Sequence, residues 1–155
     1  MRLDVRVAKK ADIPGIIIVW KEFMRMLRQT NPHYWKVKKG QFAFTKYLED
    51  ILTKNEELVT IAVKEKEVIG FSLAYIETLP EWFGSTQIGL IRYLAVSKGT
   101  RGQGVGDQIF TFVKDWFSSF GIKRIELYVL NGLQASDFWN KKGFTPFMDR
   151  RFLEI

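Results

Sequence analysis

The chain contains no cysteine and one histidine, His33. Without thiols there is no disulfide scaffold, zinc ribbon, iron–sulfur cluster or thiol nucleophile. A lone imidazole argues against a multi-histidine metal site, and no metal is expected. Long hydrophobic runs are missing too. The apolar stretch Ile16 to Trp20 is short, follows Pro14-Gly15 and is closed by Lys21 and Glu22. A spanning helix or a secretory core needs a longer run, so the protein is expected to be cytoplasmic with no membrane partner. Repeats, biased tracts and linker-like stretches are absent, and 155 residues suit a single domain over 1–155.

Hydrophobic residues make up 46% of the chain and charged residues 26%, which excludes a disordered polymer and allows a real core. Lys and Arg number 24 against 17 Asp and Glu, a formal net charge of +7. That balance favours polyanionic ligands: nucleic acid, an acidic protein or a phosphate-rich cofactor. The basic residues are scattered, with Lys36, Lys38 and Lys39 the densest group, so a solvated surface accounts for them equally well. Nucleic-acid binding has the charge behind it and no recognised motif.

Hydrophobic periodicity orders the elements. Leu3, Val5 and Val7 alternate with Asp4 and Arg6 as in a half-buried strand. Asp12 is placed to cap a helix whose first turn holds Pro14 and whose stripe runs from Ile13 to Leu27, stopped by Asn31-Pro32. A second helix is predicted over Gln41 to Leu52, with Phe44, Leu48, Ile51 and Leu52 on one face. Leu58 to Val63 and Val68 to Ile76 read as a hairpin about the charged turn Lys64-Glu65-Lys66-Glu67, and Gln87 to Val96 as a further strand. Val105, Ile109, Phe112, Val113, Trp116 and Phe120 stripe the next helix, which Gly121 ends. A strand at Arg124 to Leu130, a short helix at Ala135 to Lys142 and a last strand from Phe144 complete the order. The fold class is mixed α/β: one central, mostly antiparallel sheet with one parallel crossover and helices on both faces.

Between a strand and the strongest helix lies Arg101-Gly102-Gln103-Gly104-Val105-Gly106. Glycines let backbone N–H groups approach a ligand, the helix start adds unpaired donors and partial positive charge, and Arg101 adds a full charge. A P-loop is excluded because Val105 stands where lysine is required. A dinucleotide fingerprint is excluded because Asp107 stands at its last glycine. The surviving Arg-x-x-Gly-x-Gly pattern resembles the coenzyme A loop of the GCN5-related N-acetyltransferases (GNAT). Tyr93-Leu94-Ala95-Val96 ahead of the loop looks like that family's central strand, and Phe138-Trp139-Asn140-Lys141-Lys142-Gly143-Phe144 is similar to its closing helix and turn.

The resemblance implies acetyl-CoA as co-substrate and a primary amine, on a protein, peptide or small molecule, as acceptor. Leu94, Ala95 and Val96 would line the pantetheine arm, and Arg101, Gly102, Gln103, Gly104, Val105 and Gly106 the diphosphate. The implied strand carries a bulge and splays from its neighbour, and the backbone of Leu94 would polarise the thioester. Asn131 and Trp139 would also touch the cofactor. Asn131 stands one residue further from Ala135 than the family's Asn-x-x-Ala, and Asn131-Gly132 is equally ordinary turn chemistry. Asp107 is an odd neighbour for a diphosphate, one that Arg101 would have to offset.

For the protons, Glu126 occupies the strand position at which related enzymes keep a basic glutamate, with Glu77 and Glu81 as competitors. Trp139 stands where the family's acidic tyrosine is expected, and indole cannot transfer a proton at neutral pH. It packs against the pantetheine or serves the core, leaving Tyr128 or Tyr93 as donor. A coenzyme A-binding module with little catalysis is the alternative that Trp139 keeps open. His33, Tyr34, Trp35, Phe42, Tyr47, Trp82 and Phe83 form either an acceptor slot or core and dimer contacts. Residues 144–155 are the expected interface strand of a homodimer.

Overall fold

The computed structural model describes residues 2–31, 38–130 and 135–155. Alternation at the start yields strand β1 (Asp4–Val7), and the apolar stripe that follows yields helix α1 (Ile13–Thr30). Asp12 does not cap it. Its carboxylate instead accepts both terminal nitrogens of Arg6, at 2.8 and 2.9 Å, and the Lys9 amide at 2.7 Å. The hydrogen bonds from Arg6, stronger than its burial, hold the Asp12 carboxyl below the usual aspartate range. Asn31, in extended conformation, stops the helix.

Helix α2 (Gly40–Lys54) is bracketed by Lys39 and Asn55, both with left-handed φ, and buries Leu48 and Ile51 as its pattern requires. Strands β2 (Leu58–Lys64) and β3 (Glu67–Thr78) form the hairpin, with Lys64 opposite Glu67. Glu65 and Lys66 take φ of 52° and 68°, the paired left-handed turn that matches the twist of the flanking strands. β4 (Gln87–Val96), helix α3 (Val105–Ser119), β5 (Ile125–Leu127) and helix α4 (Ala135–Lys141) follow. The sheet order is β1-β2-β3-β4-β5, antiparallel except for the parallel β4–β5 pair.

Helices cover both faces. Ile16, Val19, Leu48 and Ile51 of α1 and α2 meet Val59, Ile61, Phe71 and Leu73 on one face. On the other, Val105, Ile109, Val113 and Phe117 of α3 meet Ala62, Ile69, Ala74 and Ile91. Each buried Val, Leu, Ile or Phe among them contributes about 1.5–3 kcal/mol by burial.

Three expectations are corrected. The buried face of α3 is centred on Val105, Ile109, Phe110, Val113 and Phe117; Phe112 and Trp116 flank it, and Phe120, past the last turn, is exposed. β5 spans three residues rather than Arg124 to Leu130, because β4 turns away from it. Residues 144–155 form no strand. Phe144 packs into the second core, while Phe147, Met148, Phe152, Leu153 and Ile155 are exposed.

Candidate active site

The site starts at an irregularity in β4. Leu73 pairs with Tyr93 and the next residue, Ala74, pairs with Ile91, so Arg92 is the extra residue of a β-bulge. On its other edge β4 pairs with β5 only at Gly89, Leu90 and Ile91. From Arg92 to Val96 it has no partner strand on that side among the described residues. A V-shaped gap therefore opens beside Leu94, Ala95 and Val96. Gly89 sits at its closed end because a Cβ there would lie 2.7 Å from the Phe117 ring of α3.

At the mouth of the gap the chain passes a short turn, Lys98–Thr100, and enters the glycine loop. Gly102 and Gly104 both take φ of 77°, a conformation that side chains with a Cβ resist, and no atom lies within 4 Å of where a Cβ would point. Gly104 is the N-cap of α3. Among the described residues, no loop carbonyl or side chain accepts from the amides of Gly102, Gln103, Gly104 or Val105. Arg101 turns back, its Nε donating to the Val96 carbonyl at 3.1 Å. Gln103 lies 3.5 Å from both the Gly99 carbonyl and Lys64.

Beside the loop lies an open cleft of about 490 Å³ lined by Gly102, Asp107, Asp137, Phe138, Lys141 and Lys142. The partner of Asp107 is Lys142, not Arg101. Phe138 packs 3.3 Å from the position a Gly106 Cβ would occupy, with Leu94 just beyond. Free amides at a helix start and open space over two glycines fit a diphosphate, while around the cleft Asp107 and Asp137 balance Lys141 and Lys142.

Trp139 is in the core. It is 8% exposed, and its ring meets Phe110, Phe138 and Phe144 edge to face at 4.8–5.7 Å. Of its two readings, the structure carries the second.

The proton candidates stand apart. Glu126 is level with Leu90, which is level with Tyr75. Ile125 and Leu127 pack into the α3 core, so Glu126 points to the opposite face. Its Oε2 accepts from Arg124 Nε at 2.7 Å. Tyr128, 81% exposed, is solvent-facing, and Glu77 and Glu81 are exposed as well. Tyr93 packs edge to face on Phe23 and Phe44 in the α1 core. Of the aromatic group, Phe42, Trp82 and Phe83 are exposed. His33, Tyr34, Trp35 and Asn131 lie outside the described residues.

One group went unnoticed in the sequence. Glu57 directly precedes Leu58, which pairs with Ala74 and packs into the α3 core, so Glu57 points to the opposite face, as Glu126 does. Its Oε1 accepts from the Tyr47 hydroxyl at 2.5 Å and from Arg92 Nη2 at 3.4 Å. Its Oε2 is buried with no hydrogen-bond partner among the described residues. Arg92 also lies over the Tyr75 ring, 4.7 Å from its centroid. Burial, and then the bond to Glu57, pushes the Tyr47 hydroxyl far above the usual tyrosine range, so it remains a donor. The packing of α2, the strand register and the bulge together bring these four residues into contact.

Among the described residues no cluster of three or more His, Cys, Asp or Glu is placed to hold a metal, and no helix is long and apolar enough to cross a membrane. The family model described as "Acetyltransferase (GNAT) family" matches residues 20–144. No curated protein matches the sequence. Solved structures share the fold at low identity. A tetramutant of the BH1408 protein from Bacillus halodurans has a TM-score of 0.84 at 18% identity, covering 98% of this chain and 99% of that one. Glucosamine-6-phosphate N-acetyltransferase from Arabidopsis thaliana gives 0.76 at 15%, covering 99% of both chains. An aminoglycoside acetyltransferase from an uncultured soil metagenomic sample gives 0.67 at 16%, covering 99% of this chain and 93% of that one.

Proposed function

Because the chain belongs to the GNAT acetyltransferase family, we propose that it is an acetyl-CoA-dependent N-acetyltransferase acting on a primary amine, with residues 1–155 as one catalytic domain working in the cytoplasm. The observation that carries this reading is the gap between β4 and β5, which opens beside the unengaged amides at the start of α3. Those of Gly102, Gln103, Gly104, Val105 and Gly106 would hold the diphosphate, and Arg101 would add charge at its edge. Leu94, Ala95 and Val96 would pair with the pantetheine as an added strand, and a Leu94 backbone donor would stabilise the oxyanion.

Acetyl-CoA supplies the activated acetyl group. The amine nitrogen would add to the thioester carbonyl to form the C–N bond, and the C–S bond would break as the oxyanion collapses. Of the two protons the ammonium loses, Glu126 would take one through water and release it to solvent, and the other ends on sulfur. Trp139 cannot donate that proton, so it travels by solvent or by exposed Tyr128. Asn131 would join the cofactor contacts. A homodimer through residues 144–155 agrees with the exposed apolar side chains there.

Calorimetry and thiol release test this. Roughly micromolar acetyl-CoA binding is expected, with thiol released when a panel of primary amines, peptides and proteins is added. No heat at millimolar cofactor would refute the reading. Binding without release from any acceptor would favour the second reading, a coenzyme A-binding module with little catalysis, to which the burial of Trp139 lends support.

A further inference from the structure

We propose that Glu57 receives the acceptor's ammonium group, and that the acceptor is a primary amine on an apolar stem; this rests on the acetyltransferase reading above. One carboxylate oxygen is already fixed, held by the Tyr47 hydroxyl and approached by Arg92. The other is buried and, among the described residues, has no donor. Buried carboxylate oxygens are rarely left unbonded, because water's hydrogen bonds have been lost with nothing in return. A primary ammonium brings three N–H donors and the complementary charge.

Arg92 does not fill that role. Its contact with Oε1 is long at 3.4 Å, and its guanidinium is spread over Tyr75 rather than forked onto the carboxylate. Glu126, another carboxylate on this face, already has a close Arg124 partner.

Position links the pair to the chemistry. Arg92 is the bulge residue, and the next four residues, Tyr93 to Val96, form the unpaired edge of the gap. Glu57 thus touches the side chain of the residue that directly precedes the strand segment that would carry the thioester. The wall around Tyr47 is aromatic: Phe44 lies stacked 6.2 Å from Tyr47 and edge-on 6.3 Å from Tyr93. Such a wall suits an apolar stem.

The test measures thiol release at saturating acetyl-CoA with phenethylamine, cadaverine and glucosamine 6-phosphate, on the wild type, Glu57→Gln and Tyr47→Phe. Acetyl-CoA affinity by calorimetry is the control for folding and cofactor binding. We expect phenethylamine or cadaverine to be the best acceptor. Glu57→Gln should raise its KM by about tenfold or more, with kcat and acetyl-CoA affinity much less affected. Tyr47→Phe should raise KM in the same direction by a smaller factor. Release that is indifferent to Glu57→Gln overturns this inference alone. So does a preference for glucosamine 6-phosphate, or acetyl-CoA binding with no release from any of the three amines. Loss of acetyl-CoA binding in the wild type overturns the acetyltransferase reading instead. If Glu57→Gln alone loses the cofactor, Tyr47→Phe decides: a raised KM supports the assignment and an unchanged one overturns it.

Discussion

Arg101 donates from Nε to the carbonyl of Val96, five residues back, and so ties the glycine loop to the end of the strand that borders the gap. The bond fixes the loop's entry while the two terminal nitrogens of the guanidinium remain available to a ligand. Arg101→Ala should therefore weaken acetyl-CoA binding by about tenfold, through lost charge and lost loop order. Calorimetry at two ionic strengths checks this, since the charge contribution shrinks with salt.

Gly104→Asp should weaken binding further. Space is open above Gly104, so the added carboxylate meets no steric block. The cost is a left-handed backbone strained by roughly 1 kcal/mol and a negative charge beside the diphosphate. Gly104→Ala separates the two effects: it carries the strain without the charge, and its affinity should fall between wild type and Gly104→Asp.

Trp139→Ala removes the centre of an aromatic cluster and should cost about 3–5 kcal/mol in urea unfolding. Trp139→Phe should cost much less and leave acetyl-CoA affinity unchanged. A large loss of cofactor affinity in Trp139→Phe would return this residue to the pantetheine.

Acid should expose the Arg6–Asp12 pair. The folded pKa of Asp12 lies below its usual 3.8, so its contribution is complete above that value and is lost as pH falls through the folded one. Asp12→Asn should destabilise the protein by about 1 kcal/mol near neutrality. The difference from wild type should close as pH falls from about 4 through the lowered folded pKa. Urea titrations across that range provide the measurement.

Glu126→Gln should lower turnover and leave acetyl-CoA affinity intact. Unchanged turnover would remove Glu126 from the proton path, with Arg124 then its sole structural partner among the described residues.

Much of the fold was legible in the sequence because its helices and strands carry clean periods. The hairpin about residues 64–67, both helical stripes facing the sheet and the glycine loop follow from local pattern. What was not legible depends on register. The bulge is expected only from the family resemblance; its position at Arg92, which decides where Arg92 points, leaves no mark in the strand's own residues. Glu57 sits beside Glu56 at the edge of a polar turn and reads as one more solvated charge. Its burial is a product of α2 placing Tyr47 above it and β4 bringing Arg92 alongside. Asp12 failed as a cap because Arg6, on a neighbouring strand, offered a stronger partner. The closing segment reads as a strand from its aromatic residues, yet a strand needs an edge to pair with, and β5 offers three residues.

Three residue pairs join β5 to the sheet, against seven between β2 and β3. The hairpin is local in sequence and closes on the microsecond scale, whereas the crossover through α3 must wait for a distant partner. Amide exchange with heavy water should therefore be fast at β5 and slow in the hairpin, so that the wedge unzips as its own unit while the remaining strands stay protected.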